Sequence, residues 1–583
     1  MAVERQSSAS DFESISRLKG ALFEYLTLGA SVIGLFALAI LLIYVFVDAF
    51  ALSTAGPEWL LTYFLTLVVP FIGFCLYSID SRRVTRQAII ALGGGLVGIA
   101  VPFVIIETYI ASIPRLTWQI TYLFVIVAPT TGTLATMASR EPAGKAGFGL
   151  VGRIVGGAAL GAAVATIFLV FDDLSWFLAY TTGIVPAVGT YIYVRSTGVS
   201  VIIAIVGIVL SGVLRNIISV YPSSAIIFVW TVGVPLAVVA AGLVHIRGRS
   251  QQAVVGVGIA TVIAAGSGVL FQPSVLPTGS GVAITAMMTA PVAVYLTDAF
   301  DNEGGRLGLT LPVLIVGGAV LGALIVQSFG IQSPEMWLTV EYITEAPSRN
   351  AREAGLYPAI VGSVIIIILV AIISFILGVG AAVFLEEYTS SSGLTGSIAR
   401  ILQINIANLA AVPSVVYGLL GLGLFANGLG LGLGTAVTAA LTLALLILPI
   451  TVISSQEAVR SVPDELRQGS YAMGATRWQT TKNVVLPEAM PGILTGTILA
   501  LGRAIGETAP LIMIGAATTV FNAPNSVWSA FSAMPMQIYA WAGFPQSEFR
   551  YGVVAAGVVT LLIVLISMNG AAIIIRNRLE RST

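Results

Sequence analysis

Charge is what this sequence has least of. Only 9% of its 583 residues are Asp, Glu, Lys or Arg, against 57% hydrophobic, whereas a soluble domain carries about 25% charged residues. A water-soluble globular architecture is excluded. The 27 basic and 27 acidic residues cancel, which leaves no basic excess for a nucleic-acid partner, so Lys and Arg have to be read by position. The one cysteine, Cys75, lies in an apolar run and can form no intramolecular disulfide, and the one histidine, His245, sits at a run's edge. Neither is read as functional, and no metal or cofactor site is read in the chain. No Gly-rich loop leads into Lys-Ser or Lys-Thr, so the cradle that would bind nucleotide phosphates is missing. The N-terminus also lacks a small-residue cleavage site after a short apolar core, which predicts that the first apolar span is retained.

What the chain has in abundance is long apolar runs. Each is about 20 residues, enough to cross a hydrocarbon core of about 30 Å as a helix. Spans are predicted near 27–50, 59–79, 88–110, 118–137, 148–171, 176–194, 199–219, 224–245, 252–271, 281–298 and 309–330, then 358–384, 400–425, 433–453, 491–517 and 552–575. The fold class is therefore all-α and polytopic, with about sixteen transmembrane helices in the cell membrane. Open sheet edges do not survive in lipid, and no barrel-like alternation occurs.

Basic residues favour short inner loops. Arg5, Arg17 and Lys19 start the inner series. Arg82, Arg83 and Arg86 follow, then Arg140 and Lys145, Arg195, Arg247 and Arg249, and Arg306. The outer loops carry Arg115, the Asp172–Asp173 pair, and a longer 331–357 segment. The same alternation places 454–490 and the tail with Arg576, Arg578 and Arg581 inside, so both termini are expected to be cytoplasmic. Residues 87 to about 300 are rich in Gly, Ala and Val, as in Gly156-Gly-Ala-Ala-Leu-Gly-Ala-Ala163, a texture suited to close helix packing. No fixed-period repeat is read there. The polar stretch Asp298–Arg306 is taken as a boundary between a region of about ten spans, 1–304, with no assigned role, and a transport module, 305–583.

The most polar stretch of the C-terminal half is Ser455–Pro487. Pro463 followed by Asp464 and Glu465 suits a helix first turn. Gly474 ends that helix, and a second short helix runs from Thr476 to Leu486, with Pro487 and Pro491 marking the return to the membrane. The spacing predicts an inner helix-turn-helix loop over 455–490.

Gly474, nine further residues, and then Val484-Val-Leu-Pro487 resemble the cytoplasmic loop signature of ABC importer permeases. The resemblance narrows to the phosphate-specific PstA type on five strings: Gly355-Leu-Tyr-Pro-Ala-Ile-Val-Gly362, Phe384-Leu-Glu-Glu-Tyr388, Asn408-Leu-Ala-Ala-Val-Pro-Ser-Val-Val-Tyr-Gly418, Gly474-Ala-Thr-Arg-Trp-Gln479 and Gly502-Arg-Ala-Ile-Gly-Glu-Thr-Ala-Pro510. It covers residues from about 305 to the end, including Gln537-Ile-Tyr-Ala-Trp541 in an outer loop, and not the first 300. It implies a type I importer permease fold, and a loop that couples to a separate ABC ATPase subunit, which binds the ATP. Glu465, Arg467, Gly474, Arg477, Leu486 and Pro487 are the expected coupling residues. It further implies a second homologous permease, an extracytoplasmic phosphate-binding protein, and inorganic phosphate as cargo. Gln468-Gly469-Ser470 departs from the usual Glu-Ala-Ala or Glu-Ala-Ser, and Glu465 or Arg467 is expected to compensate for the missing carboxylate.

Arg503 and Glu507 fall inside the predicted 491–517 span, where each charge costs about 2.5–3.5 kcal/mol unless paired or wetted. Four residues apart, they share one helix face and can pair with each other. Arginine's planar fork suits phosphate oxygens, and the resemblance marks both residues for the substrate pathway. Glu386, Glu387, Pro413, Ser414 and Tyr417 are weaker candidates. Two alternatives compete: a permease for sulfate or molybdate, and a gradient-driven secondary transporter. The latter would place ionisable groups and broken helices in both halves, yet the first eleven spans hold few.

Overall fold

The computed structural model describes residues 3–167, 173–218, 220–270, 279–300, 305–389 and 393–580. Asp172 and residues 301–304, on which the boundary reading partly falls, lie outside these, as do the side chains of Arg5, Arg17, Lys19, Arg578 and Arg581. The described residues are almost wholly helical. Fourteen helices are long and apolar enough to cross a membrane, with one bent pair and one shorter apolar helix, Gln251–Ser267, beside them.

In chain order the spans are α1 (Gly20–Ala49), α2 (Pro57–Ser78), α3 (Arg82–Tyr109), α4 (Arg115–Ala138), α5 (Pro142–Ala165), α6 (Asp173–Val194), α7 (Thr197–Arg215) and α8 (Ser224–Ile246). They continue as α9 (Gln251–Ser267), α10 (Ser280–Ala299), α11 (Gly305–Phe329), α12 (Tyr357–Tyr388), α13 (Gly396–Ala410 with Ser414–Gly428), α14 (Ala436–Arg460), α15 (Arg477–Gly506) and α16 (Glu548–Ile574). Each predicted span has a counterpart. Three differ from expectation. The apolar run at 252–271 yields a 17-residue helix too short to pass as a full span by length. The predicted span at 400–425 is broken, its halves bent by 113° at Ala411–Pro413. The predicted span at 491–517 ends at Gly506.

Proline accounts for much of the irregularity. In α2, α4, α6, α8 and α15 a five-residue π turn (Phe64–Val68, Leu123–Val127, Tyr180–Ile184, Val229–Gly233, Thr481–Val485) stands directly before the turn holding Pro70, Pro129, Pro186, Pro235 or Pro487. A proline ring clashes with the carbonyl four residues back and offers it no N–H, and one wider turn relieves both defects without breaking the helix. Pro487 and Pro491 therefore do not punctuate the return to the membrane as predicted. They lie within one continuous helical run from Arg477 to Gly506.

Small residues let the helices meet closely. A Cβ at Gly157 of α5 would lie 2.6 Å from the Met287 carbonyl of α10, so the glycine-rich texture serves packing, as read from the sequence. The largest buried core joins α12, α14 and α15 to the second half of α13 and to Phe531, Ala533 and Met536.

The ends of α12 and α14 are pinned side by side by Glu386 and Arg460. Since α13 connects the end of α12 to the start of α14, it counts as a single crossing despite its bend.

Candidate functional site: the 455–490 loop and the end of α15

Loop residues Asp464–Ala472 form a helix with Pro463 at its N-cap, and Gly474 follows at φ 82°. That backbone region costs an L-residue about 1–2 kcal/mol and glycine nothing comparable. The turn closes with Ala475 N donating to Ser470 O and Gly474 N donating to Tyr471 O, the paired bonds of a glycine-ended helix. Thr476 and Gln479 then cap the following helix reciprocally. Across the turn the Ser470 and Thr480 hydroxyls lie 2.9 Å apart, both buried. The unusual Gln468-Gly469-Ser470 thus contributes a hydroxyl that ties the two arms together.

Which loop side chains face outward was not legible beforehand. Glu465 and Arg477 are exposed, together with Leu466, Tyr471, Met473 and Trp478, the last two at 84% and 57%. Leu486 and Pro487 are half-buried, Leu486 against the core of α14 and α15. Arg467 is turned inward. Its guanidinium donates to Glu387 Oε1 from Nε at 3.2 Å and Nη2 at 3.0 Å, and to the Val459 and Val462 carbonyls. Glu387 is 7% exposed and Arg467 16%. Arg467 therefore holds the loop helix to α12.

Beside it, Glu386 accepts a bidentate pair from Arg460 (2.9 and 2.7 Å) and a bond from Gln456 at 2.8 Å. The adjacent glutamates at the end of α12 were weak candidates in the sequence. In the fold they bind α14 and the loop helix separately. Two consecutive carboxylates ending an apolar run were the available signal.

At the opposite end of α15, Arg503 lies in the last helical turn and Glu507 caps it in extended backbone. They are at a helix terminus, not mid-helix as expected. Pro510 can give no N–H to the Gly506 carbonyl, and after the extended backbone at Glu507 a separate short helix, Ala509–Met513, begins with that proline in its first turn. The terminal position suits a cation, because the helix dipole is negative there. Arg503 Nε donates to Glu507 Oε1 at 3.3 Å, and the two side chains are 46% and 19% exposed. Among the described residues the Arg503 terminal amino groups and Glu507 Oε2 have no hydrogen-bond partner.

Nearby, Tyr417 is buried and donates to Leu409 O at 2.8 Å, bracing the bend of α13 across Pro413. Gln537 and Trp541, expected in an outer loop, are buried on a short helix, Met534–Ala542.

Residues 378–581 match the family described as binding-protein-dependent transport system inner membrane component. The probable ABC transporter permease protein YqgI of Bacillus subtilis is 35% identical over 224 residues, 38% of this chain and 74% of that protein. This chain is an ABC transporter permease of that family. The phosphate transport system permease protein PstA 1 of Mycobacterium tuberculosis is 36% identical over 222 residues, covering 38% of the permease and 70% of the relative. Among solved structures, an inward-facing MetNI methionine ABC transporter aligns with 38% of the permease and 97% of its own chain, at 19% identity and a TM-score of 0.32. As a member of this family the permease is a multi-pass membrane component of an importer that works with a binding protein.

Proposed function

We propose that this permease carries inorganic phosphate into the cell, with Arg503 and Glu507 lining the pathway. The carrying observation is the open guanidinium at the end of α15: two free terminal amino groups, held in place through Nε alone. Such a fork suits the oxygens of a tetrahedral anion. Among the described residues Glu507 Oε2 faces no donor, so a hydrogen phosphate can donate a hydrogen bond to it through its P–OH, whereas sulfate at neutral pH has no hydrogen to donate. The carboxylate then selects phosphate and the arginine attracts either anion. The PstA-like strings and the names of several relatives support this cargo.

On this reading ATP is bound and hydrolysed by a separate ATPase subunit, which docks on the exposed face of the 455–490 loop through Glu465, Leu466, Tyr471, Met473, Arg477 and Trp478. Gly474 shapes that face, and Leu486 and Pro487 support it from within. A second homologous permease completes the pathway beside Arg503, and an extracytoplasmic phosphate-binding protein delivers the cargo. The loop and both termini face the cytoplasm, in keeping with the basic residues at alternate span ends.

The test is ATP-dependent uptake of labelled phosphate, with excess sulfate as competitor, in cells lacking the chain and rescued by matched levels of wild type, Arg503→Ala, Arg503→Lys or Glu507→Gln. Wild type rescues and is indifferent to sulfate, Arg503→Ala does not rescue, Arg503→Lys rescues poorly, and Glu507→Gln gains sulfate inhibition. Uptake unaffected by loss of the chain refutes the phosphate assignment. If Glu507→Gln retains phosphate uptake and gains no sulfate transport, the carboxylate is not the discriminator.

A further inference from the structure

We infer that the transport unit consists of residues 20–56 together with 331–583, and that α2–α11 form a self-contained ten-span membrane module inserted into the first outer connection of that unit. This division differs from the one read at 304/305, and four independent observations carry it.

First, α1 belongs with the C-terminal half. Ala49 is fully buried against Ala555 and Val559 of α16, with Val45, Phe50 and Leu338 packed around them. The Ala49 carbonyl accepts from both Trp337 N (3.0 Å) and Leu338 N (3.2 Å).

Second, α11 belongs with the N-terminal spans. Leu311 is fully buried with Ile72, Phe74 and Cys75 of α2, and Leu314 and Ile315 pack on the same cluster. A Cβ at Gly318 would meet the Thr66 carbonyl at 2.2 Å, so α11 and α2 touch backbone to backbone. The first and last helices of the module clasp each other.

Third, the points where the chain leaves and re-enters the transport unit coincide. Gly56 N donates to Gln332 O at 3.2 Å, and Glu335 N donates to Thr54 Oγ1 at 3.4 Å. Closure of an insertion requires adjacent ends and an even number of crossings, and ten spans satisfy the second condition with the 17-residue α9 counted, which crosses because Arg247 after α8 pairs with Asp298 of α10 and so α9 joins opposite ends of those two helices. The sequence also echoes itself at the two junctions: Pro57-Glu-Trp-Leu-Leu-Thr62 and Pro334-Glu-Met-Trp-Leu-Thr339 share Pro, Glu, Leu and Thr in register.

Fourth, the module has an internal repeat that the transport unit lacks. Trp59, Tyr63, Pro70 and Gly73 of α2 recur as Trp118, Tyr122, Pro129 and Gly132 of α4 and as Trp176, Tyr180, Pro186 and Gly189 of α6. In each, a π turn lies between tyrosine and proline or begins at the tyrosine. The spacing slips by one residue in α6 and the intervening loops vary in length, which hid the repeat from a fixed-period reading. The three copies fall on every second span of the module, α2, α4 and α6.

The test is made first on the full chain. In a Cys75→Ala background, the pair Ala49→Cys and Ala555→Cys is expected to form a disulfide under mild oxidation. Residues 57–330 are then excised, joining Gly56 to Ile331 directly or through a short Gly-Ser linker. At least one excised chain is expected to insert, elute as a single species in mild detergent and form the same disulfide. A truncation beginning at residue 305, which discards α1 and strands α11 without α2, is expected to aggregate. Absence of the disulfide in the full chain overturns the inference. So does aggregation of both excised forms, whatever the truncation does. Neither readout involves cargo or a partner subunit, so failure of the phosphate reading leaves the outcome unchanged.

Discussion

Arg467 is the residue whose removal most sharply tests the geometry of the loop. Arg467→Met keeps the side chain's bulk but leaves the Glu387 carboxylate, 7% exposed, with no counter-charge. Breaking a buried ion pair from one side costs about 3–5 kcal/mol, because the remaining charge stays desolvated. The two carbonyls of Val459 and Val462 lose a donor as well. The cost falls on the docking of the Asp464–Ala472 helix, since α12 and α14 keep their own tie through Glu386 and Arg460. Local opening of that helix should thus become easier by about 3–5 kcal/mol, at about tenfold per 1.4 kcal/mol. Amide hydrogen exchange of a peptide spanning 464–472 is expected to accelerate by about a hundredfold or more, up to the unprotected rate, while a peptide within α8 is unchanged. Glu387→Gln keeps an acceptor and should have a smaller effect. The double variant Glu387→Ala with Arg467→Ala should cost less than the sum of its singles, as expected for groups in contact. Unchanged exchange at 464–472 in Arg467→Met, or equal acceleration in both peptides, would refute the clamp.

Other consequences follow from the same structure. Gly474→Ala should destabilise the loop by about 1–2 kcal/mol through its φ of 82° alone, because a Cβ there meets nothing within 4 Å; exchange of the 464–472 peptide measures it. Gly318→Ala, forced against the Thr66 carbonyl, should cost about 1–3 kcal/mol by overpacking and lower the thermal transition of the purified permease without altering the 464–472 peptide. Trp478→Ala and Met473→Ala should change stability by less than about 0.5 kcal/mol, being exposed. Each should nevertheless weaken ATPase-subunit binding by about thirtyfold if it is a docking anchor worth about 2 kcal/mol; titration of the detergent-solubilised pair checks this.

Local properties were legible in the sequence. Whether a stretch can cross lipid depends on its own length and apolarity, so all sixteen predicted spans have counterparts. The turn at Gly474 was legible for the same reason, since Pro463, Gly474 and the Thr476–Gln479 pair act within a few residues of themselves. The Arg503–Glu507 contact was legible because four residues make one helical turn.

Hydropathy failed wherever a backbone break interrupted an apolar run. Residues 400–425 and 491–517 are each apolar enough to read as one span, yet the chain bends at Pro413 in one and turns extended at Glu507 in the other. The facing of Arg467 was decided only in three dimensions, because Glu387 is eighty residues away and no periodicity links them. Domain membership was likewise tertiary. Apolar helices look alike to a hydropathy scale, and only backbone proximity at Ala49, Gly56 and Gly318 assigns α1 to one unit and α11 to the other. The sequence by itself determined where the apolar runs of this permease lie and where its loop turns. Tertiary structure decided which helices belong together and which charges face each other, since those depend on contacts between residues far apart in the chain.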